Sequence, residues 1–244
     1  MMKITARMMH FRTLNEKIRE SDETNIEIHE CYGQRYIGSG LSGKNITIYG
    51  IPGNALASYF DGGTITVHGN AQDATCDTMN EGRVVIHGSC GDAAGYGMRG
   101  GQLLIRDNVG YRAGIHMKAY KEQQPLIMVG GMAGSFLAEY QAGGTIIVLG
   151  LNNHEKPAPI GALCCAGMHG GRLFLRCNEK PTDFDDHIFV NKATEDDMQS
   201  IEAYLRDFCD TFDISYEEVL SKDFYVITPN TSNPYKALYT KNCV

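Results

Sequence analysis

Tryptophan is absent from this 244-residue chain, proline occurs seven times, and basic residues are in deficit, 22 lysines and arginines against 29 acids. The formal charge of -7 leaves no cationic footprint for a nucleic-acid backbone and no polybasic face for anionic lipid. No run of about 18 apolar residues occurs. The start, MMKITARMMHFRTLNEK, lacks the apolar stretch and small-residue cleavage site of a secretory signal. The expected setting is the cytoplasm, with neither nucleic acid nor membrane as partner. Eight cysteines, at 31, 76, 90, 164, 165, 177, 209 and 243, form no CxxC pair, which points to reduced, packed thiols. GK[ST], HExxH and GxSxG are all missing, so the P-loop, zinc-protease and nucleophile-elbow chemistries find no motif. What the chain has in excess is glycine, 28 residues outside any low-complexity tract. Glycine without proline marks tight corners rather than a linker.

The glycines recur with a period of 19. Gly50, Gly69, Gly88 and Asp107 stand 19 apart, an insertion of 5 displaces the next member to Gly131, Gly150 follows at 19, and Cys31 lies 19 before Gly50. Within a unit the spacing is G-xx-G-xxx-[GA], as in Gly50, Gly53 and Ala57, in Gly88, Gly91 and Gly95, and in Gly131, Gly134 and Ala138. Gly110 and Gly114 occupy the second and third places of the unit begun by Asp107.

Just before each first position lies a run of strict alternation: NITIY, TITVH, RVVIH, QLLIR, LIMVG, TIIVL and RLFLR. Their second and fourth members, from Ile46 and Ile48 to Leu173 and Leu175, are all large aliphatics. A period of two with one aliphatic face predicts β-strands. Strands in one register with no helix-length spacer between them predict parallel stacking, with a coil perimeter of about 60 Å and coils about 4.8 Å apart. The expected fold is an all-β solenoid: a right-handed parallel β-helix of about seven to eight 19-residue coils, with a short N-terminal helical cap and a C-terminal α-helical segment. The third corner position is small throughout, at Gly38, Ala57, Cys76, Gly95, Gly114, Ala138 and Cys165. Three residues later, Leu41, Phe60, Met79, Met98, Met117, Gln141 and Met168 form a mostly apolar row that reads as core.

Three segments are expected: a cap over 1–23, with a helix within 8–20, the repeat over 24–177, and a C-terminal helical segment and tail over 178–244 packed on the solenoid. Composition shifts at the last boundary, since residues 178–223 carry 14 acids and 4 bases while residues 1–177 carry 15 and 16. Thr194 and Asp197 form a capping box ahead of Met198, Ile201, Leu205 and Phe208 on one helical face, and Ser215 with Glu218 starts a second short helix. The outward centre of the strands changes from Thr47 and Thr66 to Val85, Leu104, Met128, Ile147 and Phe174. Something covers the later strands: the C-terminal helix with FYVIT and the PYKALY tail, or a partner surface. Insertions near 115–124 and 151–160 lie at corners.

Little of this pattern carries chemistry. GYGMRG (95–100) satisfies GxGxxG, yet a strand follows it where a dinucleotide loop would open a helix. His68 and His87 stack on neighbouring repeats between Tyr49 and Arg106, without an evident third metal ligand. Cys164 and Cys165 are adjacent, but Cys165 falls on the small-residue row and reads as packing. Asp73 and Asp92 share one corner position, so their carboxylates could pair as in a retaining glycosidase acting on a polysaccharide. Against that, their row, Asn54, Asp73, Asp92 and Tyr111, fits turn residues bonding to corner amides, and no basic partner or aromatic platform accompanies it.

The repeat, with GNAQDATCDTMNEG, GDAAGYGMRGG, GYRAGIHMK, FLAEYQAGG and GMHGGRLFLR, resembles the stand-alone form of the GXGXG domain found at the C-terminus of the glutamate synthase large (alpha) subunit. The resemblance covers roughly residues 24–177, and the ending FYVITPNTSNPYKALY shares it. It implies a domain with no catalytic residue, cofactor or metal of its own, which braces an amidotransferase domain and a flavin domain in glutamate biosynthesis. No amidotransferase start and no flavin barrel with an iron-sulfur cysteine cluster occurs here. The implied partners are therefore separate chains: a class II glutamine amidotransferase subunit and an FMN-dependent glutamate synthase subunit. The implied role is a non-catalytic structural subunit of that oxidoreductase complex, with a homo-oligomer left open. A scaffold subunit of formylmethanofuran dehydrogenase is similar to a related repeat domain and gives the second family reading. The departures are Gln34 and Gln72 at the second corner, Cys31, Asp107 and Cys177 at the first, and Cys76 and Cys165 at the third.

Overall fold

Alternating aliphatic runs become strands wherever one face can be buried. The computed structural model describes residues 1–153 and 156–230. In chain order it contains β1 (Met2–Thr5), α1 (Phe11–Glu20), β2 (Asn25–Tyr32), β3 (Lys44–Ile51), β4 (Asp61–His68), β5 (Glu81–Ile86), β6 (Gln102–Ile105), β7 (Leu126–Val129), β8 (Ala142–Val148), β9 (Gly170–Arg176), β10 (Ile188–Lys192), α2 (Glu195–Phe212), α3 (Tyr216–Val219) and β11 (Phe224–Pro229). All eleven strands lie in one sheet, ordered β1-β2-β3-β4-β5-β6-β7-β8-β9-β11-β10. From β1 to β9 each strand pairs in parallel with the next, with Ile46 opposite Ile65, Ile65 opposite Val84 and Val84 opposite Leu103. β11 and β10 then continue the sheet antiparallel.

This architecture corrects the expectation of an all-β right-handed parallel β-helix. The fold is α/β in type, one mostly parallel eleven-stranded sheet with few helices, and it does not close as a barrel. Solenoid coils would carry strands on more than one side. Here the extended runs build a single ladder, and the rest of each repeat is turn, with only isolated bridges linking Ala71, Cys90, Val109 and Ala133. The cause is left-handed backbone: Ala55, Ala57 and Tyr59 in one repeat, and Ala74, Cys76 and Thr78 in the next, have φ between 53° and 63°. Left-handed residues at every second position break the extended geometry that a continuous strand needs. Turn amides still find carbonyls one repeat back, as in Cys76 N–H to Leu56 O at 2.8 Å and Gly95 N–H to Thr75 O at 2.7 Å.

The inner sheet face and the methionine row, with Phe60, Met79, Met98, Met117 and Met168, form one core cluster. Leu14 and Ile18 of α1 join it at one end. The outer face of the later strands forms a second. Val85, Leu104, Met128, Ile147 and Phe174 pack against Ile201, Leu205, Phe208 and Phe212 of α2, with Val219, Phe224 and Val226. Each large side chain buried there contributes about 1.5 to 3 kcal/mol. α2 begins at the Thr194 and Asp197 capping box, both of whose hydrogen bonds are present, and ends at Asp213 in the left-handed region. FYVIT extends the sheet as β11 rather than lying across it, and PYKALY falls outside the described residues. Among the described residues no helix is long and apolar enough to cross a membrane.

Candidate functional site

The two aspartates that share a corner position are drawn into the backbone of that corner. Asp73 Oδ1 accepts the Asp92 N–H at 3.0 Å, and Asp92 Oδ1 accepts the Tyr111 N–H at 2.8 Å. The same bond recurs nearby: Asn70 to the Ser89 amide at 2.9 Å, Asn108 to the Met132 amide at 2.8 Å, and Ser135 Oγ to the Ala162 amide at 3.1 Å. A column of side-chain acceptors thus satisfies turn amides one repeat onward. It also explains the glycines beside them. A Cβ on Gly91 or Gly110 would collide with the Oδ1 of Asp73 or Asp92, and one on Gly88 or Gly131 would collide with Asn70 or Asn108.

At the third corner position two constraints coincide. Ala57 and Ala138 are fully buried with φ of 58° and 60°, and Gly95 and Gly114 have φ of 69° and 67°. A Cβ on either of those glycines would meet the Cδ1 of Ile127 or Ile146. Smallness there follows from an isoleucine tip reaching over from the strand row as well as from backbone curvature.

The exposed aromatic row is longer than its 19-residue spacing indicates. His29, Tyr49, His68 and His87 stack with ring centroids 4.8, 4.8 and 4.9 Å apart, and Phe212 closes the column edge-on to His87 at 5.2 Å. His29 escaped the period because β2 shifts register between Ile28 and Cys31, where Glu30 has φ 52°. Arg106 leaves the column and pairs with Asp107 at 3.0 Å. Burial, then the neighbouring His68 and Arg106, hold His87 below the usual 6.5, so the ring favours its neutral form. Among the described residues no group of three or more His, Cys, Asp or Glu is placed to hold a metal ion.

A second aromatic group escaped notice in the sequence. His116 stacks on Tyr140 at 5.1 Å, Tyr96 meets His116 edge-on at 5.7 Å, and Arg112 lies 5.0 Å over Phe136. His116 and Tyr140 stand 24 residues apart, one repeat plus the insertion of 5, and share a left-handed backbone, so they occupy the same repeat position.

Cys31, Cys76, Cys90, Cys164, Cys165, Cys177 and Cys209 are buried and unpaired. Burial pushes the thiols of Cys31, Cys90, Cys164 and Cys177 up to about 11, and those of Cys76 and Cys165 well above the ordinary value. Such thiols are poor nucleophiles at neutral pH. An open groove of about 720 Å³ lies between α2, α3 and the start of β11, and four of its six charged side chains are engaged with one another. Lys192 pairs with Asp223 at 2.8 Å, Glu202 pairs with Arg206 at 2.7 Å, and Arg206 lies 4.2 Å over the Tyr216 ring.

The repeat geometry agrees with a family model for the GXGXG motif, which matches residues 13–231. This chain belongs to the GXGXG family. That family is the one of the C-terminal domain of the glutamate synthase alpha subunit. The GXGXG match runs past the repeat itself to include most of α1, and also α2, α3 and the two antiparallel strands. The uncharacterized protein MJ1350 of Methanocaldococcus jannaschii is 39% identical over 249 residues, an alignment spanning 97% of this chain and 95% of that protein.

Proposed function

We propose that this GXGXG chain is a structural subunit of a glutamate-synthase-like amidotransferase and oxidoreductase assembly. In this reading it docks a class II glutamine amidotransferase chain and an FMN-dependent glutamate synthase chain, and contributes no reacting group. Family membership across residues 13–231 carries the reading. The acceptor column supports it, because the best-placed pair of acids, Asp73 and Asp92, is bound to turn amides. The test is affinity capture of the tagged full chain from its native cell, with the co-purifying chains identified and glutaminase assayed. Stoichiometric amidotransferase and flavin chains, with ammonia released from glutamine by the complex and not by the isolated chain, are expected. Formylmethanofuran dehydrogenase chains in their place, or glutaminase in the isolated chain, would overturn it.

A further inference from the structure

The junction of β9 with β11 holds a charge that the packing leaves uncompensated. Arg176, the last residue of β9, is 4% exposed, yet every group it bonds to is neutral. Its Nε donates to Val219 O at 2.7 Å, Nη1 to Leu149 O at 3.1 Å, and Nη2 to Glu218 O at 2.8 Å and Ser221 Oγ at 3.0 Å. A guanidinium has five N–H donors, so one remains. Among the described residues no carboxylate lies within the 4.0 Å of an ion pair. A buried cation without a counter-charge is costly, and burial lowers the Arg176 pKa against a weaker opposing pull from Glu218.

Arg176 lines a small cavity of about 250 Å³ together with Asn153, Lys156, Asn178, Glu179 and Lys222. Among the described residues, three cations share its wall with one acid. Asn153 bonds twice to the backbone of Lys156, accepting the Lys156 N–H at 3.0 Å and donating to the Lys156 carbonyl at 2.8 Å. Lys222 is held by its neighbour, since the Asp223 carbonyl accepts the Cys177 N–H at 3.0 Å. Neither lysine forms an ion pair among the described residues. Lys222 comes from the acid-rich segment 178–223, with its 14 acids and 4 bases, while Lys156 and Arg176 come from the repeat side. The cavity lies below the roughly 300 to 1,000 Å³ of sites for drug-sized ligands. It has room for a tetrahedral oxyanion and a few waters.

We propose that this cavity binds a small oxyanion of the class of inorganic phosphate, with Lys156 and Lys222 supplying charge at its mouth and Arg176 the buried counter-charge at its base. Charge-assisted bonds from lysine and arginine suit such an ion. Every residue assigned to the site belongs to this chain.

The test uses the full chain and inorganic phosphate at constant ionic strength, read by calorimetric titration and by the thermal midpoint. Saturable binding is expected, with a midpoint that rises with phosphate by mass action, displacement by sulfate, and no displacement by chloride. Because Arg176 also ties α3 to β9, its own substitution would test folding as much as binding. The decisive variant is Lys156→Gln with Lys222→Gln, which should fold normally and weaken phosphate binding about tenfold or more. Absence of saturation, displacement by chloride at matched ionic strength, or unchanged affinity in the lysine variant would overturn the proposal.

Discussion

Arg83 on β5 and Asp207 on α2, 124 residues apart, form a two-bonded pair at 2.6 and 3.1 Å. The same guanidinium reaches Gln102 Oε1 at 2.8 Å and Thr211 Oγ1 at 2.7 Å. This fork sets where α2 lies on the sheet, while apolar contacts supply most of the holding energy. With side chains 28% and 44% exposed, the pair should show a coupling of about 0.5 to 1 kcal/mol in a double-mutant cycle of Arg83→Ala and Asp207→Ala. Phe208→Ala should cost about 3 to 5 kcal/mol. Urea midpoints compare the two, and a polar coupling larger than the Phe208 loss would reverse this ranking.

Valine at Gly114 would combine a branched side chain at φ 67° with a collision against Ile146 Cδ1. Strain and overpacking together should cost about 3 kcal/mol or more. Ala57→Gly is the control. It relieves left-handed strain at φ 58° but loses a buried methyl, so its thermal midpoint should stay close to that of the parent.

An aspartate that serves a turn differs from one that serves a reaction. Asp73→Asn keeps an oxygen for the Asp92 amide and should leave stability nearly unchanged, whereas Asp73→Ala should cost about 1 kcal/mol. If Asp73→Asn is as damaging as Asp73→Ala in chemical denaturation, the charge itself is required and the turn role fails.

His87 links the aromatic column to acid sensitivity. Its folded pKa is below 6.5, so the unfolded chain takes up the proton first as pH falls. Its stabilising contribution is therefore complete above about 6.5 and declines as pH falls from there towards the lower folded value. Thermal midpoints between pH 5 and 8 should show this slope, and His87→Phe should flatten it. An unchanged slope in the variant would assign the effect to other groups.

The strands from β3 to β9 could be read from sequence because their alternation and the 19-residue spacing reflect direct neighbours in the sheet. The fold class could not be read the same way. Spacing reports that strands stack, while the left-handed turns at Ala55, Ala57 and Tyr59 decide whether the chain between them forms further ladders. β1 escaped notice because MKIT is too short to show a period. The row of Asn54, Asp73, Asp92 and Tyr111 points to turn acceptors as well as to paired acids, and the hydrogen bonds that Asp73 and Asp92 make are those of the turn. Arg176 and its carbonyl partners were invisible, since Leu149 lies 27 residues before it and Val219 lies 43 after it.

Because the parallel strands follow chain order, each one finds its predecessor already in place as synthesis proceeds, and growth from the N-terminal end needs no distant partner. β10 must wait for β11, and α2 emerges after the strands it shields. Until it arrives, the nascent sheet carries a bare greasy stripe from Val85 to Phe174. A chain cut short before residue 195 would leave that stripe open to water, so the helix serves as a late cover for the sheet already laid down.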